Sequence, residues 1–159
     1  MSDDGSARVL VESLERAVLD GVRALEGGPD RVRVDLGLLP VFADERPLLG
    51  LAGLVDCHSS GRLSALLRAG LFSGTAGEQL LTLGDRRLPV ERLVLLGLGE
   101  REHFDGEQAK LAAERMVAVA VGLQADGVLI ALPSREIERR VAEELFEALI
   151  VAVKEALRA

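Results

Sequence analysis

Between positions 6 and 26, apolar residues recur at Leu10, Val11, Leu14, Val18, Val22 and Leu25, with Glu12, Glu15, Arg16 and Arg23 between them. That spacing lays the apolar side chains along one helix face. Ser6 offers a capping oxygen, and Gly27-Gly28-Pro29 stops the predicted helix. Positions 31–36 then alternate polar and apolar at period two, which predicts a strand with one wet face. After Gly37, positions 38–42 form a short apolar run, read as a separate buried strand whose pairing Pro40 limits. Two short helices are expected at 47–56 and 60–69, the second capped by Ser60 and ended by Gly70.

The turn-rich segment 72–78 leads into an apolar run at 79–83, and 84–89 reads as a connection. Positions 92–97 are apolar on both faces and predict a buried strand. Asp105 and Gln108 form a capping box that opens a helix reaching about Leu123. Its Ala-rich face (Ala109, Ala112, Ala113, Ala120) allows close packing on a sheet. Another buried strand follows at 127–133, and Ser134 is expected to cap a last helix over 134–158. The element order is that of one three-layer α/β domain with a mixed sheet, spanning 1–159 and with its core over 31–133. The last helix carries two apolar stripes. Ile137, Val141, Leu145, Leu149 and Ala152 form one, and Phe146, Ile150, Val153 and Leu157 form another beside it. One stripe suffices to pack a surface helix on a sheet. The second is expected to be covered by the 6–26 helix or by another protein chain, which makes Phe146, Ile150, Val153 and Leu157 a candidate interaction surface.

Composition fits this picture and narrows the partners. The chain has 159 residues, 48% apolar and 28% charged, enough for one domain with a real core. Aromatics are only 3%, with no Trp or Tyr, so the core rests on Leu, Val and Ala. Stacking platforms for bases are hard to build from four Phe. Nineteen basic against 26 acidic residues give a net charge of −7. No basic footprint suited to a phosphate backbone is present, so nucleic acid is not an expected partner. Cys57 is the sole cysteine, which fits a reducing compartment. The first residues lack a signal-peptide pattern, and no apolar run reaches membrane-spanning length. A cytoplasmic protein with no membrane contact is the expectation.

Several motifs recur in a familiar order. An apolar strand and acidic turn run from Leu39 through Asp44 and Glu45 to Leu48. Gly53-Leu-Val-Asp56 follows, then 61–70 between two glycines, then Phe72-Ser-Gly74-Thr-Ala-Gly77-Glu78. Last comes a strand that ends in Gly97-Leu98-Gly99. From Val34 to Pro133 this series resembles the N-terminal domain of the leucyl (cytosol) aminopeptidase family. The resemblance implies a macro-domain-like α/β/α fold. In that family a second domain holds two metal ions and the catalytic residues. Its asparagine-threonine-aspartate-alanine-glutamate-glycine metal signature does not occur here, nor do its catalytic lysine and arginine segments. No catalytic or metal-binding residue is therefore carried over, and no cofactor is expected. The resemblance covers the accessory half without the engine.

The remaining candidates for chemistry are few. Cys57 and His58 are adjacent, so their side chains diverge and cannot easily share a metal. The expected setting is a helix end or turn with a half-buried thiol. Asp44-Glu45 and Glu100/Glu102 are acidic pairs expected in solvated surface turns. Gly97-Leu98-Gly99 follows a buried strand and precedes a helix, where α/β folds bind ligands and phosphates. Glu100 and Glu102 flank it and would repel phosphate, and Asp35 and Asp44 suit an adenine poorly. Two classes of function stay open. One is a non-catalytic interaction or regulatory module, with a protein partner or self-association. The other is a macro-like binder of a nucleotide, ADP-ribose or similar small ligand at Gly97–Gly99.

Overall fold

A computed structural model of the chain describes residues 34–84, 90–130, 132–133 and 137–158. The expected helix at 6–26, the start of the strand expected at 31–36, most of the 84–89 connection and the Ser134 cap lie outside the described residues. Among the described residues, four strands form one mixed sheet: β1 (Val34–Val41), β2 (Gln79–Leu83), β3 (Val90–Gly97) and β4 (Val128–Ile130). Their order is β2-β3-β1-β4. β1 pairs in parallel with both β3 and β4, while β2 runs antiparallel to β3. Helices α1 (Gly50–His58) and α2 (Arg62–Arg68) lie on one face, and α3 (Gly106–Gly122) and α4 (Arg139–Arg158) on the other.

The period of two along the strands divides the core between those faces. Leu36, Leu38, Val94 and Leu96 are buried with Ala109, Ala112, Ala113 and Met116 of α3 and Val141, Leu145 and Leu149 of α4. Leu39, Val41, Leu93 and Leu95 pack with Ala52 and Val55 of α1 and Leu63 of α2. The three-layer α/β/α architecture follows from these two apolar clusters on a single sheet.

Two expected strands prove to be one. β1 runs without a break through Gly37 and is buried from Leu36 onward, so the wet face expected at its start ends at Asp35. The reason is its central place, with β3 and β4 on its two edges and helices over both faces. Gly37 permits this closeness, since a Cβ there would lie 3.0 Å from Leu93 Cδ2. Pro40 fits a central strand by register. The Leu36 amide donates to the Gly127 carbonyl, so even-numbered amides of β1 face β4. Among the described residues, Pro40 then falls past Leu38, the last β1 residue paired with β4, and so interrupts no ladder bond there.

The cap expected from Ser60 is also corrected. Ser60 has a φ of 58°, and Gly61 is the N-cap of α2 without a side-chain bond. Asp56, reaching over from α1, accepts the Ser64 amide at 2.9 Å and bonds the Ser64 hydroxyl. The Asp105 cap of α3 is present and accepts the Gln108 amide at 3.0 Å. At the opposite end of the sheet Asp35 fastens three elements. Its carboxylate accepts the Gly127 amide at 2.7 Å and the Asp126 amide at 3.1 Å, and meets Arg92 Nη2 of β3 at 3.2 Å. The Gly127 amide above all holds this carboxyl below its usual range.

Leu145 is wholly buried between α4 and the sheet. Leu145→Ala is expected to cost about 2–5 kcal/mol. Urea unfolding should show a lower midpoint with an unchanged slope.

Candidate functional site

The carboxyl ends of the parallel strands are where open α/β sheets place their ligands. Here that edge is built from the 42–49 loop after β1, the 72–78 turn before β2, and residues 98–104 after β3. Phe42 and Phe104 close it from below. Their rings meet edge-to-face at 87° with centroids 5.3 Å apart, and both are buried.

Gly97, Leu98 and Gly99 sit between β1 and the 72–78 turn, and their amides are all engaged. Gly97 donates to the Glu78 carbonyl at 2.8 Å, Leu98 to Val41 at 3.0 Å and Gly99 to Gly74 at 2.8 Å. The Gly99 carbonyl accepts the Ala43 amide at 2.8 Å, and the Gly97 carbonyl accepts the Gly77 amide at 3.0 Å. The glycines are needed for this self-packing. A Cβ on Gly97 would stand 2.0 Å from the Thr75 carbonyl oxygen, and one on Gly74 would stand 2.8 Å from Ala43 Cα. Gly74 and Gly99 also hold φ values of 90° and 78°, a region open to glycine.

The 72–78 turn contains a small anion cradle. The amides of Ser73, Gly74 and Thr75 converge on the Glu78 carboxylate at 3.0–3.2 Å. The Ser73 hydroxyl donates to it at 2.6 Å. Successive amides pointing into one hollow form a nest for negative charge, and the chain fills this nest with its own side chain. The Ser73 hydroxyl, followed by the backbone amides, outweighs partial burial and holds the Glu78 carboxyl below the usual range.

The acidic residues separate into different settings. Asp44 accepts the Arg101 amide and Nε, each at 3.2 Å. Desolvation pushes its carboxyl up, but the bonds to Arg101 outweigh this and leave it lowered. Glu45, expected in a solvated turn, is instead only 4% exposed. Its carboxylate accepts the Leu49 amide at 3.1 Å at the entrance to α1, and the Arg46 guanidinium bridges the Glu45 carbonyl and the Ser73 carbonyl. Glu100, Glu102 and His103 are exposed, and one ligand atom from each falls within 4.8 Å of the others. Three exposed side chains on one short turn do not fit a two-ion centre, which needs carboxylates held rigidly between two metals.

Cys57 is exposed at the end of α1 rather than half-buried, and His58 beside it is exposed too. On α4, Phe146 is buried and Ile150 and Val153 are half-buried, while the Leu157 side chain lies outside the described residues. The sequence reading found the Gly97–Gly99 turn but missed the work of Glu78. A usable signal was present: an acidic residue placed just after a Ser-Gly-Thr run satisfies local amides readily. Among the described residues, no helix is long and apolar enough to cross a membrane.

Glu78→Gln should lower stability by about 1–2 kcal/mol, allowing for solvent screening of this half-exposed group. Because the folded pKa is depressed, the charged contribution is complete above the ordinary value of 4.5 and is lost as pH falls through the folded value. Melting curves of the two proteins should therefore separate at neutral pH and converge in acid.

Comparison with known proteins agrees with this architecture. Residues 38–157 match the model of the cytosol aminopeptidase family, N-terminal domain. A probable cytosol aminopeptidase of Pseudomonas syringae pv. tomato is 31% identical over 103 residues, which is 65% of this chain and 21% of the relative. Another, from Synechocystis, is 28% identical over 116 residues, 72% of this chain and 24% of the relative. The chain thus spans between a fifth and a quarter of the length of these relatives. A tomato leucine aminopeptidase mutant superposes with a TM-score of 0.62 at 17% identity, covering 81% of this chain and 27% of that one. The macrodomain of Mycobacterium tuberculosis DarG superposes with a TM-score of 0.63 at 11% identity, covering 83% of this chain and 89% of that one. The fold is therefore macrodomain-like, and the chain belongs to the cytosol aminopeptidase family through the N-terminal domain of that family.

Proposed function

We propose that this chain acts as a non-catalytic protein-interaction or regulatory module. The observation that carries the reading is the state of the strand-end amides. Those of Gly97, Leu98 and Gly99 are bonded to the chain itself, and the Ser73–Thr75 nest holds Glu78. A phosphate arriving there would have to displace a charged carboxylate and then face exposed Glu100 and Glu102. The family match is compatible with this reading, because residues 38–157 correspond to the N-terminal domain of the family. Such a module works through its surface, and α4 contributes the half-exposed Ile150 and Val153 to it.

The second reading is a small-ligand binder of the nucleotide or ADP-ribose type. It is favoured by one observation, the position of Gly97–Gly99 at the carboxyl ends of β1 and β3.

Calorimetry decides between them. Titration with ADP-ribose or ATP is expected to give no saturable heat. Micromolar affinity for ADP-ribose that is lost in Gly99→Glu would replace the first reading with the second. Hydrolysis of a leucine-anilide substrate, with manganese or zinc added, is expected to stay at the level of a chelated control. Turnover that follows the pure protein and disappears on chelation would overturn the non-catalytic assignment.

A further inference from the structure

We infer that the β2 edge of the sheet is a self-association surface, through which two copies pair their β2 strands antiparallel into one continuous sheet. β2 is a terminal strand, and among the described residues it pairs with β3 alone. Natural edges are guarded by charges, prolines or bulges that block further pairing. Gln79-Leu-Leu-Thr-Leu83 has neither a charge nor a proline. Two of its leucines are exposed, Leu81 at 52% and Leu83 at 69%.

The hydrogen-bond directions fit a second copy. Gly84 donates to Glu91, and the Glu78 carbonyl accepts from Gly97, so even-numbered groups along this strand face β3. The amides and carbonyls of Gln79, Leu81 and Leu83 consequently face outward. A two-fold axis through Leu81 sets Leu81 opposite its own copy and Gln79 opposite Leu83, so every outward group has a partner. Such an isologous pairing closes on itself and does not propagate into a fibre.

The helix above adds apolar cover on the same face. Leu81 stands opposite Val94, which is buried on the α3 side. Near the start of β2, the Arg115 guanidinium of α3 lies beside Gly77. Near its end, Arg92, the partner of Leu83, bonds the carbonyl of Leu123 just after α3. The stretch of α3 between these contacts therefore runs alongside β2. It is uncharged from Met116 to Leu123, and Ala118 and Val121 on it are exposed, Val121 at 61%. In the paired sheet the two α3 helices lie on one side of the doubled sheet and meet through these small and apolar side chains. A chain with a net charge of −7 resists indiscriminate aggregation, and this uncharged strip is where two copies approach without local repulsion.

The inference deepens the interaction reading by naming one partner, a second copy, and its test is separate from the ligand titrations. Light scattering at high micromolar concentration should give twice the 17.0 kDa chain mass. Leu83→Lys should return it to a single-chain mass with unchanged circular dichroism, since that side chain is exposed in the single chain. Ile150→Asp should leave the doubled mass in place. In a Cys57→Ser background, Leu81→Cys should oxidise to a covalent dimer, because facing residues of a hydrogen-bonded pair have Cα atoms about 5.5 Å apart. Leu83→Cys should not, since this register sets its two copies four residues apart, about 13 Å. A single-chain mass for the unmodified protein overturns the inference while leaving the ADP-ribose result to judge the function by itself. A doubled mass that survives Leu83→Lys but is lost in Ile150→Asp also overturns it, by moving the contact to α4.

Discussion

Three consecutive amides, those of Ser73, Gly74 and Thr75, point at the carboxylate of Glu78, and the geometry at the carboxyl ends of β1 and β3 depends on that contact. With Glu78 in place the turn is compact enough for its carbonyls to receive the amides of Gly97 and Gly99. Those bonds fix the end of β3 against the turn, and Gly99 in turn receives Ala43 from the loop after β1. Glycine at 74 and 97 is the steric condition for the arrangement, since a single Cβ at either place would collide with backbone. The carboxylate thus supplies internally the negative charge that such a cradle is built to accept, and an α/β edge suited to anions becomes part of the protein's own packing.

The other end of the sheet is held by a related device. Asp35 joins β1 to the Asp126-Gly127 approach to β4 and to Arg92 of β3, while Arg92 also reaches the carbonyl of Leu123 after α3. One ion pair and three further hydrogen bonds thereby align the starts of the three parallel strands with the helix that crosses between two of them. Between the two polar ends, cohesion is apolar and divided by strand parity into two clusters. This division explains why the chain needs few aromatics. Leucine and valine fill the faces of a narrow sheet, and the alanines of α3 let α4 and the sheet approach it closely.

The family relation and the geometry bear on different questions. Membership rests on residues 38–157 and fixes the kind of domain. The macrodomain-like superposition speaks to fold alone, and at this edge the chain has closed with its own atoms the hollow that the fold offers. Meanwhile its uncharged surface lies elsewhere, along β2 and the second half of α3. At the strand ends the amides of Gly97, Leu98 and Gly99 are occupied by the chain itself, whereas among the described residues β2 pairs on one side alone.

Much of the fold was legible in the sequence because it depends on short-range regularities. The continuous apolar run of β3, the Asp105 cap of α3 and the wide apolar arc of α4 each state their own local structure. The ordered series of motifs gave the family. Long-range placement escaped it. Whether 31–36 and 38–42 were two strands or one depended on neighbours on both edges of β1, which no local pattern reports. Glu45 looked like a surface acid until the loop folded it under the entrance to α1. Asp56 capped a helix other than its own, and this required two helices to meet. The sequence placed Gly97 and Gly99 at a ligand-binding position, but only the tertiary structure decided what those glycines admit. The 72–78 turn, about twenty residues earlier in the chain, lies directly against them and fills the space. A residue's type and spacing set which local conformations it can adopt, whereas the partner that completes its hydrogen bonds is chosen by segments distant in the chain.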